Sequence, residues 1–91
     1  MLKLNLKKSF QKDFDKLLLN GFDDSVLNKV ILSLRKKEPL DPQFQDHQDH
    51  ALKGKWKPFR ECHIKADILL VYLVKDDELI LVRLGSHSEL F

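Results

Sequence analysis

A chain of 91 residues with 43% hydrophobic and 33% charged side chains has the composition of one folded domain, which excludes a disordered tail, a fibrous repeat and a multidomain enzyme. Sixteen basic against 14 acidic side chains leave a net charge of only +2, so affinity for nucleic acid has to come from local clustering of lysine and arginine. The single cysteine, Cys62, excludes an internal disulfide and a thiolate metal cluster and suits the reducing cytoplasm.

Leu2, Leu4 and Leu6 alternate with Lys3 and Asn5, a period of two that predicts a short strand. This lysine-bearing start lacks the apolar core of an export signal. From Ser9 the rhythm changes to Phe10, Phe14, Leu17 and Leu18, a helical stripe that Asn20-Gly21 stops. Asp23-Asp24-Ser25 offers N-caps for a second helix with Val26, Leu27, Val30, Ile31 and Leu34 on one side; Arg35-Lys36-Lys37 suits its negative end. Two helices so closely spaced predict a hairpin with both stripes turned to a sheet.

Leu40 to Pro58 has neither period and reads as a long functional loop. It contains Gln45-Asp46-His47-Gln48-Asp49-His50, the same tripeptide twice and two of the chain's four histidines. Phe59 to Lys65, Ile68 to Val74 and Leu79 to Leu84 then predict three strands in an antiparallel meander, with a tight turn at Lys75-Asp76-Asp77-Glu78. The run Ile68 to Val74 is apolar on both faces and belongs in the centre; it is far shorter than a membrane span. The expected fold class is α+β, in the order β-α-α-β-β-β, with the helical hairpin on one face of a mainly antiparallel sheet and a single domain over residues 1–91.

Strand parity predicts Cys62 and Ile64 on the helix-covered face, with Ile80, Val82 and Leu84, and leaves Glu61, His63 and Arg83 on the other. Outer strands of a meander end on the same edge, so His63, Asp67, Arg83 and His87 belong to one end, about 9 to 10 Å apart across the central strand. That spacing fits a phosphodiester. Residues 51–58 are long enough to fold His50 back to that end.

Histidines, carboxylates and a guanidinium without an obvious Ser or Cys nucleophile suit acid and base catalysis on RNA, which brings its own 2′-OH. Arg83 or Lys53 would stabilise charge on the pentacoordinate phosphate. Lys53, Lys55, Lys57 and Arg60 around Trp56 and Phe59 add phosphate contacts and aromatic surface. The chemistry requires neither metal nor cofactor.

The order His50-Ala51-Leu52-Lys53-Gly54-Lys55-Trp56, then Arg60-Glu61-Cys62-His63-Ile64-Lys65-Ala66-Asp67, then Gly85-Ser86-His87-Ser88-Glu89-Leu90-Phe91 resembles the YafQ-type branch of the RelE superfamily of toxin–antitoxin ribonucleases. The resemblance covers essentially the whole chain. It implies a RelE-like, microbial-RNase-like fold and metal-independent endonucleolytic cleavage of mRNA, usually in the ribosomal A site. It also implies restraint by a cognate antitoxin, with operator DNA bound only by the toxin–antitoxin complex. His50, His63, Asp67 and His87 match the family's catalytic residues, Arg83 and Phe91 match residues lining the same site, and Glu61 stands where an acidic residue is frequent.

The departure is the repeat, because the family motif needs one histidine before Leu-x-Gly-x-Trp. His50 has the matching spacing and His47 is the spare copy. A metal clamp at His47 and His50 lacks identified partner ligands. Against catalysis stands a binding module of the same fold, in which the histidines serve only as contacts.

Overall fold

The computed structural model of the chain describes residues 1–36, 59–65 and 67–90, together with the backbone of His50 and Ala51. The repeat up to Asp49, Lys53, Trp56 and Phe91 lie outside the described residues. Strand β1 is Lys3–Leu6, and of the alternating leucines only Leu2 is buried, while Leu4 and Leu6 stay about 40% exposed. This strand ends the sheet, so less of the core reaches it.

Helix α1, Lys8–Leu19, buries Phe10, whose ring stacks on Phe14 one turn later at 5.8 Å between centroids. Gly21 stops it at φ +86°, a left-handed conformation that a Cβ resists. There the Gly21 N–H reaches the Leu18 carbonyl and the Phe22 N–H the Leu17 carbonyl, a Schellman pair that satisfies the last carbonyls. Helix α2, Ser25–Arg35, buries Leu27 and Val30. The Asp23 carboxylate accepts the Ser25 N–H at 2.9 Å, which holds that carboxyl below its ordinary pKa. Arg35 ties the helix end to β1, its Nε donating to the Leu2 carbonyl at 2.9 Å.

The remaining strands are β2 (His50–Ala51), β3 (Arg60–Lys65), β4 (Ile68–Lys75) and β5 (Glu78–Gly85), followed by a short helix α3 (His87–Leu90). The sheet order is β1-β5-β4-β3-β2, with β1 parallel to β5 and the other pairs antiparallel. The α+β class and the β-α-α-β-β-β core are as expected. To them are added the two-residue β2, inside the segment expected to be loop, and α3. No helix among the described residues is long and apolar enough to cross a membrane.

β4 is central and buried on both faces. Leu70 and Tyr72 join Phe10, Leu27, Val30, Cys62 and Ile64 under the helices, while Leu69 and Val71 form a second cluster with Leu90 on the opposite face. Cys62 is fully buried on the helix side, as its parity predicts.

The parity of β5 departs from expectation. Leu79 and Leu81 lie in the helix-side core with Leu84, and Val82 packs with the opposite cluster, so the placement of Ile80 and Val82 under the helices is overturned. The cause is a bulge. Tyr72 pairs with Leu81 but Val71 pairs with Arg83, leaving Val82 as an extra residue that reverses the phase of everything before it.

The β4–β5 connection is a two-residue turn with Asp76 at φ 52° and Asp77 at φ 64°, the mirror-image geometry that matches strand twist and favours glycine. Asp77→Gly is expected to stabilise the fold by about 0.5 kcal/mol by relieving left-handed strain at a β-carbon. A lowered melting temperature would contradict it.

Candidate active site

The strand register gathers most of the expected site residues. His50 lies opposite Glu61, Glu61 opposite Val71 and Val71 opposite Arg83, so these four positions form one row across the sheet. Two residues further along, in the next row of the same face, His63 lies opposite Leu69 and Leu69 opposite Gly85. Because Cys62 and Ile64 point under the helices, Glu61 and His63 occupy the open face. Glu61 is deeply buried at 4% exposure and His63 is half-buried.

Asp67 is exposed in the connection between β3 and β4, at the end where β3 and β5 both finish. Arg60 opens β3 opposite Tyr72 and Ala51, further along the sheet. Phe59 packs half-buried against the open-face cluster.

His87 is exposed as the first residue of α3. Leu90 presses this helix onto Leu69 and Val71 and lies against Gly85, where a Cβ would meet Leu90 Cδ2 at 3.4 Å, an ordinary contact distance. Ser86 and Glu89 cap each other. The Glu89 N–H donates to Ser86 Oγ at 3.3 Å, while the Ser86 N–H donates to Glu89 Oε1 at 3.2 Å and Ser86 Oγ to the same oxygen at 2.9 Å. These bonds hold the Glu89 carboxyl below its ordinary pKa, and the reciprocal box fixes the first turn that carries His87.

Arg83 shares its row with Glu61, yet its side chain is held by α1. Nε donates to Asp13 Oδ2 at 2.7 Å and Nη2 to Oδ1 at 3.2 Å; that bond raises the guanidinium pKa further, against the opposing effect of burial. Arg83 also borders a cavity of about 430 Å³ between α1 and α3, with Lys16, Gly85 and Glu89.

Such a face, with an imidazole, a buried carboxylate and a cation in successive rows of one face and a second imidazole on the helix beyond, can exchange protons with a bound phosphodiester and balance its charge. The family described as the YafQ toxin of bacterial type II toxin–antitoxin systems matches residues 2–91. The chain belongs to the YafQ toxin family. It is 40% identical over 92 residues to the mRNA interferase toxin YafQ of Escherichia coli K12, covering 100% of this chain and 99% of that protein. A copper-bound single-substitution mutant toxin from Helicobacter pylori is 90% identical, with a TM-score of 0.93 and both chains covered in full. YafQ in the Escherichia coli DinJ–YafQ complex is 27% identical with a TM-score of 0.86, covering 100% of this chain and 99% of that one.

Two parts of this YafQ-family site escaped the motif-based reading. Asp13 falls at the place in the stripe Phe10, Phe14, Leu17 where a helix facing a core carries an aliphatic residue, so a carboxylate there signals a cation packed against it. Ser86-x-x-Glu89 is a capping-box spacing that announces a helix after β5. Lys53 and Phe91 lie outside the described residues, and among those described no group of three or more His, Cys, Asp or Glu is arranged to hold a metal ion.

Proposed function

We propose that this single-domain chain is an mRNA endoribonuclease, the toxin of a type II toxin–antitoxin pair, acting in the cytoplasm and cutting at the ribosomal A site. One of His50, His63, Asp67 and His87 removes the proton from the RNA 2′-OH. The 2′-oxygen then bonds to phosphorus, the bond to the 5′-oxygen breaks, and another of the four protonates that leaving oxygen. Arg83 or Lys53 balances charge on the phosphorane, while Arg60, Glu61 and Phe91 line the RNA path. The step needs no metal or other cofactor. A cognate antitoxin binds this chain, as the DinJ–YafQ toxin–antitoxin complex suggests by likeness; it covers the site, and operator DNA is bound only by the toxin–antitoxin complex.

The observation that carries this reading is the pair of successive rows on one face, Glu61 with Arg83 and His63 with Gly85, ending beside the capped helix of His87. The test is to map cleavage ends on a defined mRNA with and without ribosomes, with EDTA added to half the samples. Chelator-insensitive cuts leaving 2′,3′-cyclic phosphates are expected. Since copper-bound and metal-bound relatives exist, loss of cleavage in EDTA would overturn the metal-free step. Binding without any cut would favour the non-catalytic module.

A further inference from the structure

We propose that Asp13 is a positioning residue for RNA, holding the Arg83 guanidinium side-on so that its opposite edge meets the substrate phosphate. This deepens the ribonuclease reading and rests on it. A guanidinium offers five N–H donors. Asp13 takes one from Nε at 2.7 Å and one from Nη2 at 3.2 Å. Among the described residues only Asp13 bonds this guanidinium, and its Nη1 donors with the second Nη2 hydrogen form the end-on fork that matches two phosphate oxygens.

The clamp is itself anchored. Asp13 Oδ2 also accepts the Leu84 N–H at 3.0 Å, so the carboxylate is bonded to the backbone next to the side chain it holds. The site exists because β1 pairs only with Glu78 to Leu81. Beyond that point, α1 lies along the edge of β5, with the Lys7 N–H on the Leu81 carbonyl and the Ser9 hydroxyl on the Val82 carbonyl. Side-chain exposures of 31% for Arg83 and 17% for Asp13 separate this pair from a screened surface contact such as Lys16 with Glu89, at 71% and 54%.

Asp13 does not touch RNA in this arrangement, so its test is a double-mutant cycle read in single-turnover cleavage and in binding of a 2′-O-methylated oligoribonucleotide. Asp13→Asn is expected to lower kcat/KM about 10- to 100-fold. In an Arg83→Ala background the same change should alter it less than about twofold, because the orienter acts only through the arginine. Multiplying losses would indicate a purely structural role and overturn the proposal, as would wild-type cleavage and binding by Asp13→Asn. If Asp13→Asn does not fold, Asp13→Glu, which keeps the charge but shifts the fork, carries the cycle.

Unchanged cleavage and binding in Arg83→Ala would overturn the proposal too, while cleavage by the wild-type chain would leave the ribonuclease reading standing. Should the wild-type chain bind without cutting, the ribonuclease reading fails, and the binding cycle alone upholds or rejects the positioning role.

Discussion

Replacing His87 by alanine is expected to lower RNA cleavage about 10²- to 10⁴-fold, the range for losing a positioned proton-transfer group, while shifting the melting temperature by less than about 3 °C. The two outcomes separate because of where the side chain sits. His87 is exposed at the start of α3, so its removal leaves no cavity. The helix is held by other residues: Leu90 against Leu69 and Val71, and the Ser86–Glu89 box. An imidazole, with a reference pKa of about 6.5, gives or takes a proton near neutral pH, which alanine cannot do. Single-turnover cleavage of a defined mRNA together with a thermal melt measures both. Cleavage within threefold of wild type would remove His87 from the proton transfers.

Leu81→Ala is expected to cost about 2 to 5 kcal/mol, the range for truncating a fully buried leucine. For a domain whose whole stability is about 5 to 15 kcal/mol, this lowers the melting temperature by about 10 to 25 °C. Leu81 is completely buried between the helices and Tyr72, its strand partner. Ile80→Ala, one residue earlier and only half-buried, should cost about 1 kcal/mol. Urea unfolding of the two variants tests the bulge directly, since a regular strand with the opposite phase would reverse their order.

That contrast shows where the sequence was readable. In β3 the alternation of Cys62 and Ile64 with Glu61 and His63 marks the two faces chemically, and the structure keeps both sets as expected. Leu79-Ile80-Leu81-Val82 carries no such marker, because all four are apolar and a period of two can start on either foot. Arg83 nevertheless lands in the row of Glu61 because the bulge at Val82 restores the phase. The helix stop at Asn20-Gly21 was legible because a left-handed residue there needs glycine.

Long-range pairing was the hidden part. Nothing near Lys3–Leu6 says that this strand lies parallel to β5, and two residues are too few for β2 to show a period. Asp13 could be recognised as a charge in an apolar stripe, but its partner lies 70 residues away. The candidate proton-transfer residues were legible as residue types and order, while the contact of Asp13 with Arg83 belongs to packing.

The pairing of β1 with β5 also sets an order of events during synthesis. Lys3 pairs with Glu78 and Leu6 with Leu81, so the first strand made waits for the last. Until β5 is available, α1 has no edge to close and Asp13 has no arginine to hold. The ribosome therefore releases a chain whose helices and β3–β4 hairpin can form locally, but whose candidate site is assembled only by a late, non-local closure. In this sense the nascent chain cannot present its candidate site until β5 has been made and has closed on β1.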